Sequence, residues 1–572
     1  MTTKRSPRSV LILSLALGGL VGGCGGDAAG NDAGTDGAIA CLVNQYVEDA
    51  ACVACPPGTS NLPGDRTSGG DTICDPRLCE EDERVQANAC TPCPANTFND
   101  AGDDASMSDT SCEDACEVAL GLPCADFAEA YVKASTVDEA DRFGRSVALD
   151  GDTLVVGAPD EDADTGIDGT QSDDTAVDSG AVYVFTRVGA TWTQQAYLKA
   201  SNVQGSDRFG FTVAVSGDTI AVGAPGEDSA APGVNGDEAD NSLESTGAVY
   251  VFTRSGASWS QQAYLKASNP DSTDSFGVAL GLSGDTLAVG ANWEDSTATG
   301  VNNDETDDTA VQSGAVYVFT RSSNTWSQQA YLKASNTDAG DEFGTALALD
   351  GNTLAIGAWE EDSAATGVDG SESSNASETS GAVYVFTRSG VTWTQQAYLK
   401  ASNTMVGAQF GFSVALSGDT VAVGAPEHQT GAVYIFGRSG GVWSQQALRT
   451  ANRPADAFGY SVALSNTMLV VGARTESRGG SGLNDDPPFA TIEASGAVYV
   501  FTQSATLWSQ LAYIKASNPD PFDQFGFSVA VSGSTIAVGA TNEDSAATGL
   551  NGNEANNDAL DSGAVYVRLL AP

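Results

Sequence analysis

Five times the chain repeats one acidic frame, a Glu-Asp pair followed by Gly and then by Asp or Asn. The pairs are Glu161-Asp162, Glu227-Asp228, Glu294-Asp295, Glu361-Asp362 and Glu543-Asp544, and the later acceptors are Asp168, Asn235, Asn302, Asp369 and Asn551. Oxygen donors spaced around a Gly turn suit a hard cation such as calcium, which takes roughly six to eight of them. The same residues also serve as solvated turns whose side chains accept from their own backbone. Both readings stand at this point, and no loop has the EF-hand spacing. A sixth copy keeps Glu476, Gly482 and Asn484 but has Ser477 in place of the Asp, with Arg474 and Arg478 beside it. That set is expected to weaken a cation site.

Catalytic chemistry has little to rest on, and no catalytic residue is assigned. The one histidine, His428, lies in the short segment Pro426-Glu427-His428-Gln429 and reads as an exposed turn residue. Ser146, Ser413, Ser461 and Ser528 follow Gly in a Gly-x-Ser context, but they recur within a repeated strand, where packing explains them. A nucleophile needs a base and a strained elbow.

The elements that position these residues are themselves repeated. Phe-Gly stands at Phe143, Phe209, Phe276, Phe343, Phe410, Phe458 and Phe525, with successive spacings of 66, 67, 67, 67, 48 and 67 residues. Each copy runs through a Gly-Ala strand (B) after the Phe-Gly strand (A), then an acidic loop, then Gly-Ala-Val-Tyr (C) and Gln-Gln-Ala-Tyr-Leu-Lys (D). Short apolar runs broken by Gly, Asn, Asp and Ser predict four strands per copy, covered on both faces by neighbouring sheets. A period this long predicts propeller blades, so the expected fold is all-β, with seven four-stranded blades around an axis. The last copy stops after Gly563-Ala564-Val565-Tyr566 without its fourth strand, and a matching strand, Ala130 to Ser135, precedes the first Phe-Gly. This N-terminal strand is expected to close blade seven and remove an open edge.

Alternating strand direction puts the B–C and D–A loops on one rim, and the turns carrying Arg187, Arg254, Arg321 and Arg388 on the other. Length variation falls on the first rim: the B–C segment runs from Ala291 to Gly314 in blade three but only from Ala425 to Gly431 in blade five.

Phe-Gly, then Val-Gly-Ala-Pro at Val156–Pro159, Val222–Pro225 and Val423–Pro426, then Gly-Ala-Val-Tyr, resembles the FG-GAP repeat typified by the integrin α-subunit head. The resemblance covers residues 128–570. It implies that the B–C/D–A rim binds ligand, within a family of adhesins, receptors and lipase-associated domains. The calcium-binding insert of the integrin repeats does not carry over, because the A–B junction here is a tight turn, as at Ser216-Gly217-Asp218-Thr219 and Ser417-Gly418-Asp419-Thr420.

With 572 residues, a formal net charge of −50 and 11 cysteines, the chain reads as exported. Lys4, Arg5 and Arg8 precede an apolar run from Val10 to Val21 and then Gly22-Gly23-Cys24. These are the parts of a signal peptide over residues 1–23, and Val-Gly-Gly-Cys resembles a bacterial lipobox that would make Cys24 the lipidated first residue. Residues 24–40 read as a flexible tether. The other cysteines repeat at a shift of 38, as Cys41, Cys52, Cys55 and Cys74 and then Cys79, Cys90, Cys93 and Cys112, with Cys116 and Cys124 following. Cys-x-x-Cys pairs also bind zinc, but exported thiols are ordinarily oxidised, so a disulfide-stapled region over 41–124 is expected.

These features together predict a lipid-anchored lipoprotein of the bacterial outer membrane or cell surface. It would bind a surface protein or glycan through the acidic rim, with calcium as a candidate cofactor. Nucleic acid is disfavoured by charge, and the propeller is expected to be monomeric. The alternatives are an accessory or catalytic module of an extracellular polysaccharide- or lipid-degrading system, and a passive envelope component. Replacing Cys24 by Ser is expected to release the protein from the membrane fraction and abolish incorporation of a fatty-acid analogue. A variant that still partitions into the detergent phase would exclude the anchor.

Overall fold

The computed structural model describes residues 129–570, except 164, 165, 168, 170, 172–174, 451–455, 485–490 and 505–506. Upstream of these it describes the backbone of eight short strands between residues 45 and 114. Two compact units divide between Val118 and Ala119. In the first, Gln45–Glu48 pairs with Ala51–Ala54 and Thr59–Ser60 with Asp75–Pro76. The same two pairings recur as Glu83–Gln86 with Ala89–Pro92 and Thr97–Phe98 with Glu113–Asp114. The repeat seen in the cysteine spacing is thus a repeat of hairpins. The signal peptide, Cys24, the tether and the cysteine side chains lie outside the described residues.

The second unit is all-β: seven sheets of four antiparallel strands in a ring, with strand A innermost and D outermost. Blade one is Ser146–Asp150, Thr153–Ala158, Ala181–Val188 and Thr191–Leu198. Strand B is buried along its whole length in six of the seven blades, because neighbouring blades cover both faces. Its continuous Val, Ile, Leu and Ala content follows from that position. The Phe of each Phe-Gly anchors the start of strand A on its own strand C, as Phe143 does edge-to-face against Tyr183 at 5.2 Å.

The two glycines of the repeat meet across every seam. A Cβ on Gly157 of strand B would stand 2.0 Å from the carbonyl oxygen of Gly210, the Phe-Gly glycine of the next blade. The same contact at 2.0 to 2.1 Å recurs around the ring, including Gly539 against Gly144 at its closure. The Gly210 backbone has φ +93°, which a side chain would strain. Ser146, Ser413, Ser461 and Ser528 sit at the same contact: each Oγ donates to the carbonyl of the next Phe-Gly glycine at 2.7 to 2.9 Å. Their recurrence is a seam bond.

Blade seven is completed by Glu129–Val132, with Val565 opposite Val132 and Tyr566 opposite Tyr131. The expected clasp is present. On the rim away from the B–C loops, Arg254 stacks on Trp259 at 5.1 Å and bonds Asp218 of its own blade. It also reaches Thr153 of blade one at 3.2 Å, while the Trp259 indole donates to Gln195 of that blade at 2.9 Å. Arg321, Arg388 and Arg438 repeat the latch to the preceding blade's Gln, and Arg187 reaches Thr535 across the closure. Between blades five and six the latch is missing, because Gln503 replaces the Arg and Trp508 Nε1 has no partner.

Deleting residues 128–135 is expected to leave strand C of blade seven as an open edge and to abolish the cooperative melt. A chain beginning at residue 126 should keep that melt. Equal thermal stability of the two chains, measured by circular dichroism, would exclude the clasp.

Candidate functional site

The glutamates of the acidic frame point into the protein. Glu227 accepts from Lys266 Nζ at 2.7 Å and from Tyr264 OH at 2.7 Å, and Asn202 of the preceding blade donates to it at 3.2 Å. The lysine also bonds Thr246. Lys–Glu pairing recurs at Lys199–Glu161, Lys333–Glu294, Lys400–Glu361, Lys515–Glu476 and, through the clasp, Lys133–Glu543, at 2.7 to 3.3 Å. Burial lowers the pKa values of Lys133, Lys266, Lys333, Lys400 and Lys515 from the ordinary range, and the facing carboxylate opposes that shift.

The other members of the frame fasten the same loop. Asp162, Asp228, Asp295, Asp362 and Asp544 each accept a backbone N–H from 16 or 17 residues further on, at 2.7 to 2.8 Å. Ser477 does this for Ala494 in blade six at 3.0 Å, so it replaces the aspartate in a turn. Asn235, Asn302, Asp369 and Asn551 accept the backbone N–H of the strand D tyrosine at 2.9 to 3.1 Å. Asp168 lies outside the described residues. Among the described residues no group of three or more His, Cys, Asp or Glu is placed to hold a metal ion. The frame that suggested calcium closes and buries a loop, and Glu476 does the same in the blade expected to differ.

His428 is buried, against the expectation of an exposed turn. It stands where the other blades have the network glutamate, with Nε2 3.0 Å from Asn403 Nδ2. Blade five has also exchanged the partner Tyr and Lys for Leu448 and Thr450. Burial pushes the imidazole pKa down, favouring the neutral ring.

What the rim does expose is a ring of half-buried side chains around the axis. The residue after each Phe-Gly is Arg145, Phe211, Val278, Thr345, Phe412, Tyr460 or Phe527. Phe412 and Tyr460 rings are 5.0 Å apart, Tyr460 and Phe527 are 5.1 Å apart, and Trp359 at the end of strand B packs on Phe412 at 5.8 Å. Arg145 closes the circle, its guanidinium 4.3 Å from the Phe211 ring and 4.9 Å from Phe527. Arg474 lies 4.0 Å over Tyr460. Glu342 holds two indoles at this mouth, accepting from Trp293 at 3.2 Å and Trp359 at 2.8 Å. The residue before each Phe-Gly, including Arg142, Arg208 and Glu342, has φ between 49° and 58°. Such backbone is uncommon for non-glycine residues and clusters at functional surfaces. A 370 Å³ cavity between blades two and three is lined in part by Arg208, Phe211, Asn292 and Trp293.

The FG-GAP repeat family model matches residues 128–185, 192–252, 259–319, 326–386, 393–436, 443–501 and 508–568. The chain belongs to the FG-GAP repeat family. Each matched unit begins on strand D of one blade and ends on strand C of the next, so the FG-GAP unit straddles a seam and the first unit carries the clasp. Comparison with curated proteins finds no significant match. In this FG-GAP propeller the mouth was not singled out from sequence, although a signal was there. The position after Phe-Gly is the one that varies most inside an otherwise constant motif, and four of its seven occupants are aromatic.

A second repeated group titrates. Asp141, Asp207, Asp274, Asp341 and Asp523, two residues before their Phe, are buried, and desolvation pushes each pKa up to about 8. A folded-state pKa above the unfolded value means proton uptake on folding. The resulting stability is fully present below the ordinary carboxylate range and is lost as pH rises through about 8. Asp274→Asn is therefore expected to melt higher than the parent at pH 9, with the difference shrinking towards pH 5. A constant difference across that range would show that Asp274 does not titrate in this window.

Proposed function

We propose that this protein is an exported, lipid-anchored binding or adhesion module that engages its partner at the axial mouth of the rim formed by the B–C and D–A loops. The observation that carries the reading is the ring of half-buried aromatic side chains at the mouth, with Trp293 39% exposed beside them. Aromatic groups partly open to solvent supply large, stiff contact area, which is why they dominate binding surfaces. Among the described residues, the Glu, Asp and Asn of the repeated acidic frame are tied into loop closure or buried pairs. The signal-like N-terminus and Cys24 support an anchor, and the cysteine repeats support a disulfide-stapled region between it and the propeller in the sequence. The lysines that hydrogen-bond serine hydroxyls, as Lys333 does Ser313 at 2.7 Å, are buried and paired with glutamates, away from solvent, which favours recognition over turnover.

The test is binding of the purified mature protein to whole cells and to glycan and surface-protein arrays. Trp359→Ala and Phe412→Ala are expected to lose binding at least tenfold, whereas Val391→Ala, at an exposed position on the other rim, should not. Binding is expected to survive calcium chelation, since the frame carboxylates already have protein donors. Retained binding by both mouth variants would overturn the assignment of the surface, and loss in chelator would restore the metal.

A further inference from the structure

We infer that the axial mouth is an anion site whose ligand is a single sugar acid at the end of a glycan chain, held by Arg145 and Arg474. This rests on the reading of the mouth as the binding surface and names what it binds. The distribution of positive charge carries the argument. On a chain of net charge −50, the propeller's lysines are buried against glutamates, and Arg187, Arg254, Arg321, Arg388 and Arg438 are held in the opposite rim. Of the described cations that remain, Arg142, Arg145, Arg208 and Arg474 gather at the mouth. Arg478 pairs with Glu476, and Arg449 and Arg568 stand elsewhere.

The two inner arginines lack an acid. Among the described residues no carboxylate lies within 4 Å of the Arg145 or Arg474 guanidinium. Arg474 donates to the neutral Gln524 at 3.2 Å, and its Nε is buried without a partner. A guanidinium stacked on an aromatic face keeps its N–H groups in its own plane, from which those not already bonded can fork onto a carboxylate. Arg142 and Arg208 share Asp160 at 3.1 and 3.7 Å at the entrance.

The sugar is inferred from what lies between the charges. Phe211, Tyr460, Phe527 and Trp359 are half-buried aromatic side chains at the mouth, the residue type on which a pyranose stacks. The adjoining 370 Å³ cavity brings Arg208 beside the exposed Trp293 indole and falls in the range of roughly 300–1,000 Å³ usual for small-ligand sites. The end-on mode follows from the surroundings. A long polyanion lying across the rim would meet acidic loops, whereas a single terminal acid meets the basic centre, and charges further away are screened over about 8 Å at physiological salt.

The experiment uses the mature full-length protein on an array of oligosaccharides ending in a uronic or other sugar acid. Each is printed beside its carboxyl-reduced neutral counterpart, with glutarate as a soluble competitor that has carboxylates but no ring. Acid-terminated glycans are expected to bind, carboxyl reduction to cost at least tenfold, and glutarate to compete poorly. Arg474→Ala and Arg145→Ala should each lose tenfold or more. Arg208→Ala, a half-exposed change, guards against a failure to fold and should weaken binding severalfold with an unchanged melt. Absence of binding to any acid-terminated glycan overturns the inference, as does glutarate competing as well as the glycans. Neutral glycans bound as tightly, lost with Trp359→Ala but unmoved by the arginine variants, would also overturn it while leaving the mouth as a binding surface. Binding unmoved by any mouth variant would overturn both readings.

Discussion

Backbone meets backbone at every seam of this ring, and the other features are arranged around that contact. The carbonyl of each Phe-Gly glycine sits where the Cβ of the preceding blade's strand B glycine would be. Only glycine fits at the strand B position, and a positive φ favours glycine at the other. Two short motifs that look like separate signatures are therefore two sides of one interface. Drawing the inner strands this close sets the radius of the ring, so that residues following Phe-Gly in neighbouring blades touch. The mouth is a consequence of the glycine contact.

The buried Lys–Glu pairs occupy the outer half of every blade but the fifth. Charges this deep are costly unless paired and hydrogen-bonded, and each glutamate has Lys, Tyr and in most blades Asn donors around it. Their value is geometric: the network ties strand D, the B–C loop and the preceding blade's D–A loop to one carboxylate. Blade five shows the dependence. With the long loop removed, Glu, Tyr and Lys have gone together to His428, Leu448 and Thr450, while the Asn403–Tyr434 bond that serves the seam remains at 2.7 Å.

The same chain therefore uses acidic residues in two ways. Much of the net charge is spread over exposed loops, where it solvates, whereas the regularly spaced carboxylates are structural. Positive charge is scarce in the propeller, and among the described residues most of what is not consumed by those carboxylates or by the tryptophan latches collects at the axis. On the proposed reading, an acidic surface with a basic, aromatic centre would discriminate by position, attracting an anion at short range only if the rest of the ligand avoids the loops.

The amino-acid order by itself determined the number of blades, their strand order and the closure by residues near Ala130, because these depend on local pattern and on a repeat that can be counted. It also carried the exchange in blade five, visible as three substitutions that occur together. Tertiary structure decided which acidic residues are inside. A Glu-Asp pair in a Gly-rich loop has the same local pattern whether its carboxylate faces water or a lysine from a strand 39 residues on, as Glu227 faces Lys266, and desolvation depends on what packs over it. It likewise decided that Arg145, Phe211, Phe412, Tyr460, Trp359, Phe527 and Arg474, drawn from six blades, form one surface. Their proximity is set by the radius of the closed ring, and nothing in the spacing of any single repeat contains that radius.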